Sequence, residues 1–262
     1  MTKNQRLTAL LQMLAERDSV DVQALSVALG VSVATVRRDL DALAEQQLLR
    51  RTHGGAISIA SSLGVALRHR RDDAAAEAKL RIAKRAVSLV GRGAIIGLNG
   101  GTTTTEVARA LMQQPAFLAR DPWPALTVVT NAVNIATELT VRDQIKTVVT
   151  GGVARPNSYE LTGPFATAVL EDVILDLAII GVEGLDPRLG AAARHEDEAQ
   201  VNRLLAERAK RVVVVATGDK FGASAFARIC PADGIDVIIT DREPTAVMAA
   251  GFRGLGVDVI VA

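Results

Sequence analysis

From about residue 77 the chain alternates helix-like stretches with seven short β-branched runs: 94–98, 126–130, 145–150, 177–182, 211–216, 237–240 and 257–261. Strands that alternate with helices form βαβ units, so this rhythm predicts an α/β fold: a mostly parallel sheet with helices on both faces. Several runs end in Gly, Thr or Asn, at the carboxyl ends where open α/β sheets bind ligands. The runs are short. Val212 to Ala216 falls far below the ~20 apolar residues that span a bilayer. Hydrophobic residues make up 49% of the chain and charged residues 23%. That balance supports a packed core and excludes a disordered chain, a collagen or a small disulfide scaffold. No apolar stretch follows Met1-Thr2-Lys3 as a secretory signal would require, and Cys230 is the only cysteine. Both features point to a reducing cytoplasm.

The first 58 residues have a different texture. Leu7, Leu10, Leu11 and Leu14 recur at the spacing of one helix face. Val22, Leu25 and Leu29 mark a second helix that stops at Gly30, and Ser32 is a good N-cap for a third. The third helix has the apolar stripe Val33, Val36, Leu40 and Leu43. Residues 48–52 and 56–59 flank His53-Gly54-Gly55 and read as a small hairpin, a wing. The expected division is therefore 1–58, a winged helix-turn-helix; 59–76, a linker; and 77–262, an α/β sensing domain. The Ser/Ala-rich and then charged stretch 60–76 also reads as a continuation of the following helix.

A helix, a short turn and a second helix is the arithmetic of a helix-turn-helix. The stripe of the third helix leaves Ala34, Thr35, Arg38, Asp41 and Ala42 on the opposite face, with Arg37 at its edge. Ser32, Thr35 and Arg38 suit entry into the major groove, where Arg bonds a guanine edge in bidentate fashion. Arg37, Arg50, Arg51 and His53 are better placed as phosphate contacts, which give affinity and register. Residues 1–58 carry seven Lys and Arg against six Asp and Glu, and the whole chain has a net charge of +1. Positive charge is thus local, around the third helix and the wing.

In the second part, Asn99-Gly100-Gly101-Thr102-Thr103 lies between a strand and a helix. Helix N-termini expose unpaired N–H groups, and glycines let an anion approach the backbone, so this turn is a candidate phosphate cradle. It is neither a P-loop nor a dinucleotide fingerprint. Three other loops follow strands in the same way: Thr130-Asn131-Ala132, Thr150-Gly151-Gly152 running to Arg155, and 216–222 with Lys220. Arg155 and Lys220 are candidate cations for clamping an anionic group. Glu183, Glu196 and Glu198 are candidates for sugar hydroxyls, with solvated charge the plainer reading of Glu196. His53, His69, His195 and Cys230 have no metal-ligand spacing, and no cofactor is implied.

Residues 32–40, Leu43 and the run 49–56 together resemble the N-terminal signature of the DeoR family of bacterial transcriptional regulators. The second part resembles that family's sensor domain through 97–103, 129–136, Thr150-Gly151-Gly152 to Arg155, Leu161-Thr162-Gly163-Pro164, and Lys220-Phe221-Gly222 with Phe226. The resemblance implies a winged helix-turn-helix whose Ser32, Thr35, Arg37 and Arg38 carry most DNA contacts, with the wing assisting. It implies a sensor similar in fold to sugar-phosphate isomerases. It also implies a phosphorylated sugar or related effector that changes DNA affinity. Two loops depart from the family pattern. The first loop usually carries an Asp-Ser pair where this chain has Asn99-Gly100, and the last usually reads Ala-Asp-Ser-Ser-Lys-Phe-Gly where this chain has 216–222.

The expected function is that of an operator-binding regulator, a repressor of a carbohydrate operon. Its partners would be duplex DNA, a phosphorylated effector and further copies of itself as a dimer or tetramer, with no membrane. The alternative is a sugar-phosphate isomerase-like enzyme with an accessory domain. That chemistry needs a general base, usually a carboxylate. Asn99 cannot serve as one, and Asp219 and Glu183 remain candidates.

Overall fold

The computed structural model of the chain describes residues 2–17, 19–45, 48–52, 54–58, 73–119 and 122–262. Two compact units result, Met1–Arg71 and Asp72–Ala262.

In the first unit, α1 (Lys3–Arg17), α2 (Val22–Leu29) and α3 (Val33–Glu45) pack their apolar stripes together. Leu10, Leu14, Leu25, Val36, Leu40 and Leu43 are buried. Each such side chain contributes ~2 kcal/mol of burial. The helix ends follow local chemistry. Asp21 caps α2, its Oδ1 accepting from Gln23 N–H at 2.8 Å and Ala24 N–H at 3.1 Å. Gly30 ends α2 at φ 63°, a left-handed C-cap. Ser32 caps α3, with Thr35 N–H donating to its Oγ at 3.2 Å. The expected hairpin forms from β2 (Leu49–Arg51) and β3 (Gly55–Ser58), and a third strand, β1 (Ser19–Asp21), adds to β3. Gly55 is obligatory there, because a Cβ on it would lie 1.8 Å from the Val20 carbonyl oxygen of β1.

The second unit opens with α4 (Asp73–Val87), so the last residues assigned to the linker, 73–76, are helical. All seven β-branched runs become strands: β4 (Ile95–Leu98), β5 (Leu126–Thr130), β6 (Ile145–Val149), β9 (Leu177–Gly181), β12 (Val212–Val215), β14 (Val237–Thr240) and β15 (Asp258–Val261). They form one parallel sheet in the order β15-β14-β12-β9-β4-β5-β6. Side chains alternate across it. Val213, Val215 and Ile239 pack under α4, α5 (Thr102–Gln113) and α6 (Val133–Leu139). Val212, Val214 and Ile238 pack under α7 (Pro164–Glu171), α8 (Glu196–Glu207) and α9 (Ala246–Gly254). A two-stranded ladder, β7 (Val153–Ala154) with β8 (Leu161–Thr162), and a three-stranded one, β10 (Gly184–Asp186), β11 (Gly190–Ala193) and β13 (Ala227–Cys230), complete the unit.

The strand order sets the position of the site. From β4 the chain winds outward through β5 to β6, then returns to β9 on the other side of β4 and winds away through β12, β14 and β15. The direction therefore reverses between β4 and β9. In open α/β sheets the crevice beyond the carboxyl ends of strands at such a reversal is the ligand position.

Candidate functional site

In the first unit, Arg37 and Arg38 are exposed on α3, Ala34 is exposed beside them, and Thr35 is half-buried. Arg37 and Arg38 form no ion pair among the described residues. Ser32 and Thr35 are joined, Oγ to Oγ1, at 2.9 Å, so both hydroxyls are already engaged at the start of the helix. Arg51 is committed more fully. Its Nε pairs with Asp41 Oδ1 at 2.9 Å and its Nη1–H donates to the Gly55 carbonyl at 2.9 Å, which fastens the wing to α3. His53 and the side chain of Arg50 lie outside the described residues. One residue that sequence reasoning passed over is Asp39. It is 3% exposed and accepts from Arg6 Nε–H at 2.8 Å and Nη2–H at 3.3 Å. This bidentate pair ties α1 to the inner side of α3 and leaves the arginines at 37 and 38 facing outward.

In the second unit, the turn after β4 sits at the reversal. Asn99 is 1% exposed. Its Nδ2–H donates to the Gly181 carbonyl at 2.9 Å, and its Oδ1 accepts from Gly181 N–H at 2.8 Å. Asn99 thus bridges the ends of β4 and β9, with both ends of its amide used. Gly101 precedes α5 at φ 142° and no side chain caps that helix, so its first N–H groups lack an acceptor from a cap. Thr102 is exposed and Thr103 is 9% exposed. Thr104 and Thr105 turn inward, their hydroxyls donating to the Gly101 carbonyl at 3.1 and 2.7 Å.

The other expected site residues divide. Asn131 is fully buried near the cradle, and its Oδ1 has no hydrogen-bond partner. Gly151 and Gly152 have φ of 74° and 120°, and a Cβ at Gly152 would lie 2.6 Å from the Thr162 carbonyl oxygen. Backbone packing against β8 therefore accounts for Gly152. Arg155 and Lys220 are not free cations for a joint clamp. Arg155 pairs with Asp197 at 2.7 Å and Glu198 at 3.1 Å in the first turn of α8. Burial pushes the Asp197 carboxyl up, but the bonds from Arg155 and the Glu198 N–H hold it below the usual range. Lys220 pairs with its neighbour Asp219 at 3.2 Å, and the Thr217 hydroxyl donates to Asp219. Glu183 is paired with Arg194 at 3.1 Å and Glu196 is exposed, whereas Glu198 is 8% exposed and accepts from Ser158 Oγ–H at 2.6 Å.

Sequence reasoning missed Glu160. The segment after β7 folds back over the end of β5, with Val133 N–H donating to the Tyr159 carbonyl at 3.0 Å and Leu161 N–H to the Asn131 carbonyl at 2.6 Å. This carries Glu160, 4% exposed, to Gly100. Its Oε2 accepts from Asn131 Nδ2–H at 3.4 Å and from Asn202 Nδ2–H of α8 at 3.3 Å. Burial, and then the Glu198 carboxylate, raise its carboxyl to about 8. A lone Glu between Tyr159 and Leu161 gives no sequence sign of this.

A separate cavity of about 570 Å³ lies by the amino ends of the strands, lined by Arg203, Cys230, Pro231 and Asp236 among others. The Arg203 guanidinium there is bonded to the carbonyls of Arg228 and Ile229, and no expected site residue reaches it. Among the described residues no helix is long and apolar enough to cross a membrane.

Residues 6–62 match the DeoR-like helix-turn-helix domain, and residues 74–242 match the DeoR C terminal sensor domain. The chain is 33% identical over 260 residues to the HTH-type transcriptional regulator GlpR of Haloferax volcanii, covering 99% of this chain and 98% of that one. It is 32% identical over 260 residues to the putative aga operon transcriptional repressor of Escherichia coli O157:H7, covering 98% and 93%. It is 29% identical over 244 residues to the glycerol-3-phosphate regulon repressor of Escherichia coli strain K12, covering 93% of each. With its helix-turn-helix unit ahead of a doubly wound sensor, the chain belongs to the DeoR family of DNA-binding transcriptional regulators.

Proposed function

We propose that this regulator is the repressor of a carbohydrate operon and that a phosphorylated sugar, polyol or related metabolite controls its grip on DNA. The observation that carries this is the crevice at the β4/β9 reversal, where Gly101 and the uncapped start of α5 offer backbone N–H groups to a phosphate. Relatives named as repressors of glycerol-3-phosphate and aga operons support the same class of target.

In this reading residues 1–58 bind the operator, 59–76 join the units and 77–262 sense the effector. Arg38 reads a base in the major groove. Arg37 and Arg51 hold phosphates, Ser32 and Thr35 set the start of the recognition helix, and His53 of the wing assists. Gly100, Gly101, Thr102 and Thr103 hold the effector phosphate, with Asn99, Asn131, Gly151 and Gly152 shaping the crevice. Arg155 and Lys220 act through their ion pairs, Lys220 reaching the effector once it leaves Asp219. Two or more subunits in the cytoplasm engage paired half-sites, and the effector shifts the equilibrium between subunit orientations, releasing DNA. No substrate is turned over.

The test is a gel-shift titration with the chain's own promoter DNA against glycerol phosphate, pentose phosphates and hexose phosphates. Release of the duplex by one of them, with that compound recovered unchanged, is the expected result. Failure to bind any promoter duplex, or conversion of the compound by the protein alone, overturns it.

A further inference from the structure

We propose that Glu160 is the residue that selects the effector in this pocket, its carboxyl bonding a sugar or polyol hydroxyl beside the phosphate cradle at Gly100 and Gly101. This rests on the reading of the crevice as a sugar-phosphate pocket.

The first observation is steric. A Cβ on Gly100 would lie 2.4 Å from Glu160 Cγ and 2.8 Å from its Oε1. Glycine at 100 therefore does two things: it opens the backbone of the cradle, and it admits this carboxyl to the cradle's wall. Among the described residues no cation pairs with it. The charged side chain that faces it is Glu198 of α8, itself held by Arg155 and Ser158. Among the described residues its carboxyl meets the Gly100 N–H and the amide of Asn131 at the strand ends, and the amide of Asn202 on α8.

The second observation is an incomplete hydrogen-bond set. The bonds from the two amides to Oε2 are 3.3 and 3.4 Å long, and Asn131 reaches Asn202 Oδ1 at 3.4 Å. These exceed the usual range, so the group is desolvated without being well compensated. Beside it the buried Asn131 Oδ1 accepts nothing. A buried polar atom of this kind is uncommon and costs free energy until a donor arrives. A hydroxyl both donates and accepts, so one vicinal pair of sugar hydroxyls satisfies Asn131 Oδ1 and the Glu160 carboxyl together. Inorganic phosphate, lacking those carbons, leaves both unfilled. A carboxyl kept neutral by burial also avoids repelling the phosphate at Gly101. Ionising it adds a like charge and weakens binding as the pH rises through about 8.

The experiment measures binding of inorganic phosphate, glycerol phosphate, ribose phosphate and fructose phosphate by calorimetry, on the full chain and on two variants. Glu160→Ala removes the carboxyl. It is expected to keep the affinity for inorganic phosphate and to lose about tenfold or more for the preferred organic phosphate, the loss of one hydrogen bond to a charged or strongly polar group. Glu160→Gln keeps size and polarity without a titrating proton. It is expected to keep the preference while its affinity no longer falls through the range around pH 8. Glu160→Ala with the wild-type ratio of organic to inorganic phosphate binding overturns the proposal. Equal loss of all four probes with a lowered melting temperature also overturns it, because the carboxyl is then only a structural support. A wild-type chain that binds none of the four removes the sugar-phosphate reading itself, and this proposal with it.

Discussion

Asn99 and Gly181 exchange two hydrogen bonds, of 2.9 and 2.8 Å, across the point where the sheet reverses direction. The amide serves as a strap between β4 and β9. Asn99→Ala leaves the Gly181 N–H and carbonyl without these partners and is expected to cost about 1–3 kcal/mol. Asn99→Asp keeps the acceptor, but only its protonated form can donate to the carbonyl, so that variant should be milder in acid than near neutrality. Urea unfolding at two pH values checks both. An Asn99→Ala chain that unfolds at the wild-type midpoint removes the strap from the account.

Arg38 stands exposed on the outer face of α3, whereas Arg51 is already bonded to Asp41 and to the Gly55 carbonyl. Arg38→Ala is expected to weaken operator binding by about 1–3 kcal/mol and to flatten sequence preference, the signature of a base contact. Arg51→Ala is expected to weaken all duplexes alike. Footprinting on a set of single-base operator variants separates the two. Unchanged preference in Arg38→Ala reassigns that side chain to the backbone.

Glu160 also leaves a mark on stability. Its folded-state carboxyl sits at about 8, above the ordinary 4.5, so the unfolded chain releases this proton first as the pH rises. Its contribution is fully present below about pH 4.5 and is lost as the pH climbs towards 8, by on the order of a few kcal/mol. Glu160→Gln should flatten that slope. Parallel slopes in wild type and variant would mean that the buried carboxyl ionises normally.

Cys230 is buried, and burial pushes its thiol up to about 11. The thiolate is the reactive form, so in the folded chain near pH 8 it should alkylate at least about a hundredfold more slowly than in denaturant. Mass spectrometry of iodoacetamide-treated protein reads this directly. Rapid native labelling would show that the thiol is exposed to solvent.

What the sequence disclosed follows from how each element is specified. The seven sheet strands are legible because a central parallel strand is buried on both faces and must be β-branched nearly throughout, as in Val212–Val215. The small strands escape that logic. β1 is Ser-Val-Asp, and β11 is Gly-Ala-Ala-Ala, a composition that favours helix and becomes a strand only through pairing with β10 and β13. The glycines and threonines of the first cradle are legible because they mark a strand-to-helix turn. Glu160 and Asn202 are not, because their meeting with Asn131 depends on a fold-back of the chain between β7 and β8 and on where α8 lands. Asp39 was hidden differently: it falls in a polar stretch of α3, and only Arg6 of α1 explains why a carboxylate is buried there.

The starts of α5 and α8 differ in one respect. Glu196, Asp197 and Glu198 occupy the first turn of α8, with Arg155 locked onto two of them, while the first turn of α5 carries no acid and no capping side chain. The positive pole of α8 thus meets the carboxylates of its own first turn. The threonine-rich start of α5 keeps its positive pole, with no first-turn carboxylate set against it.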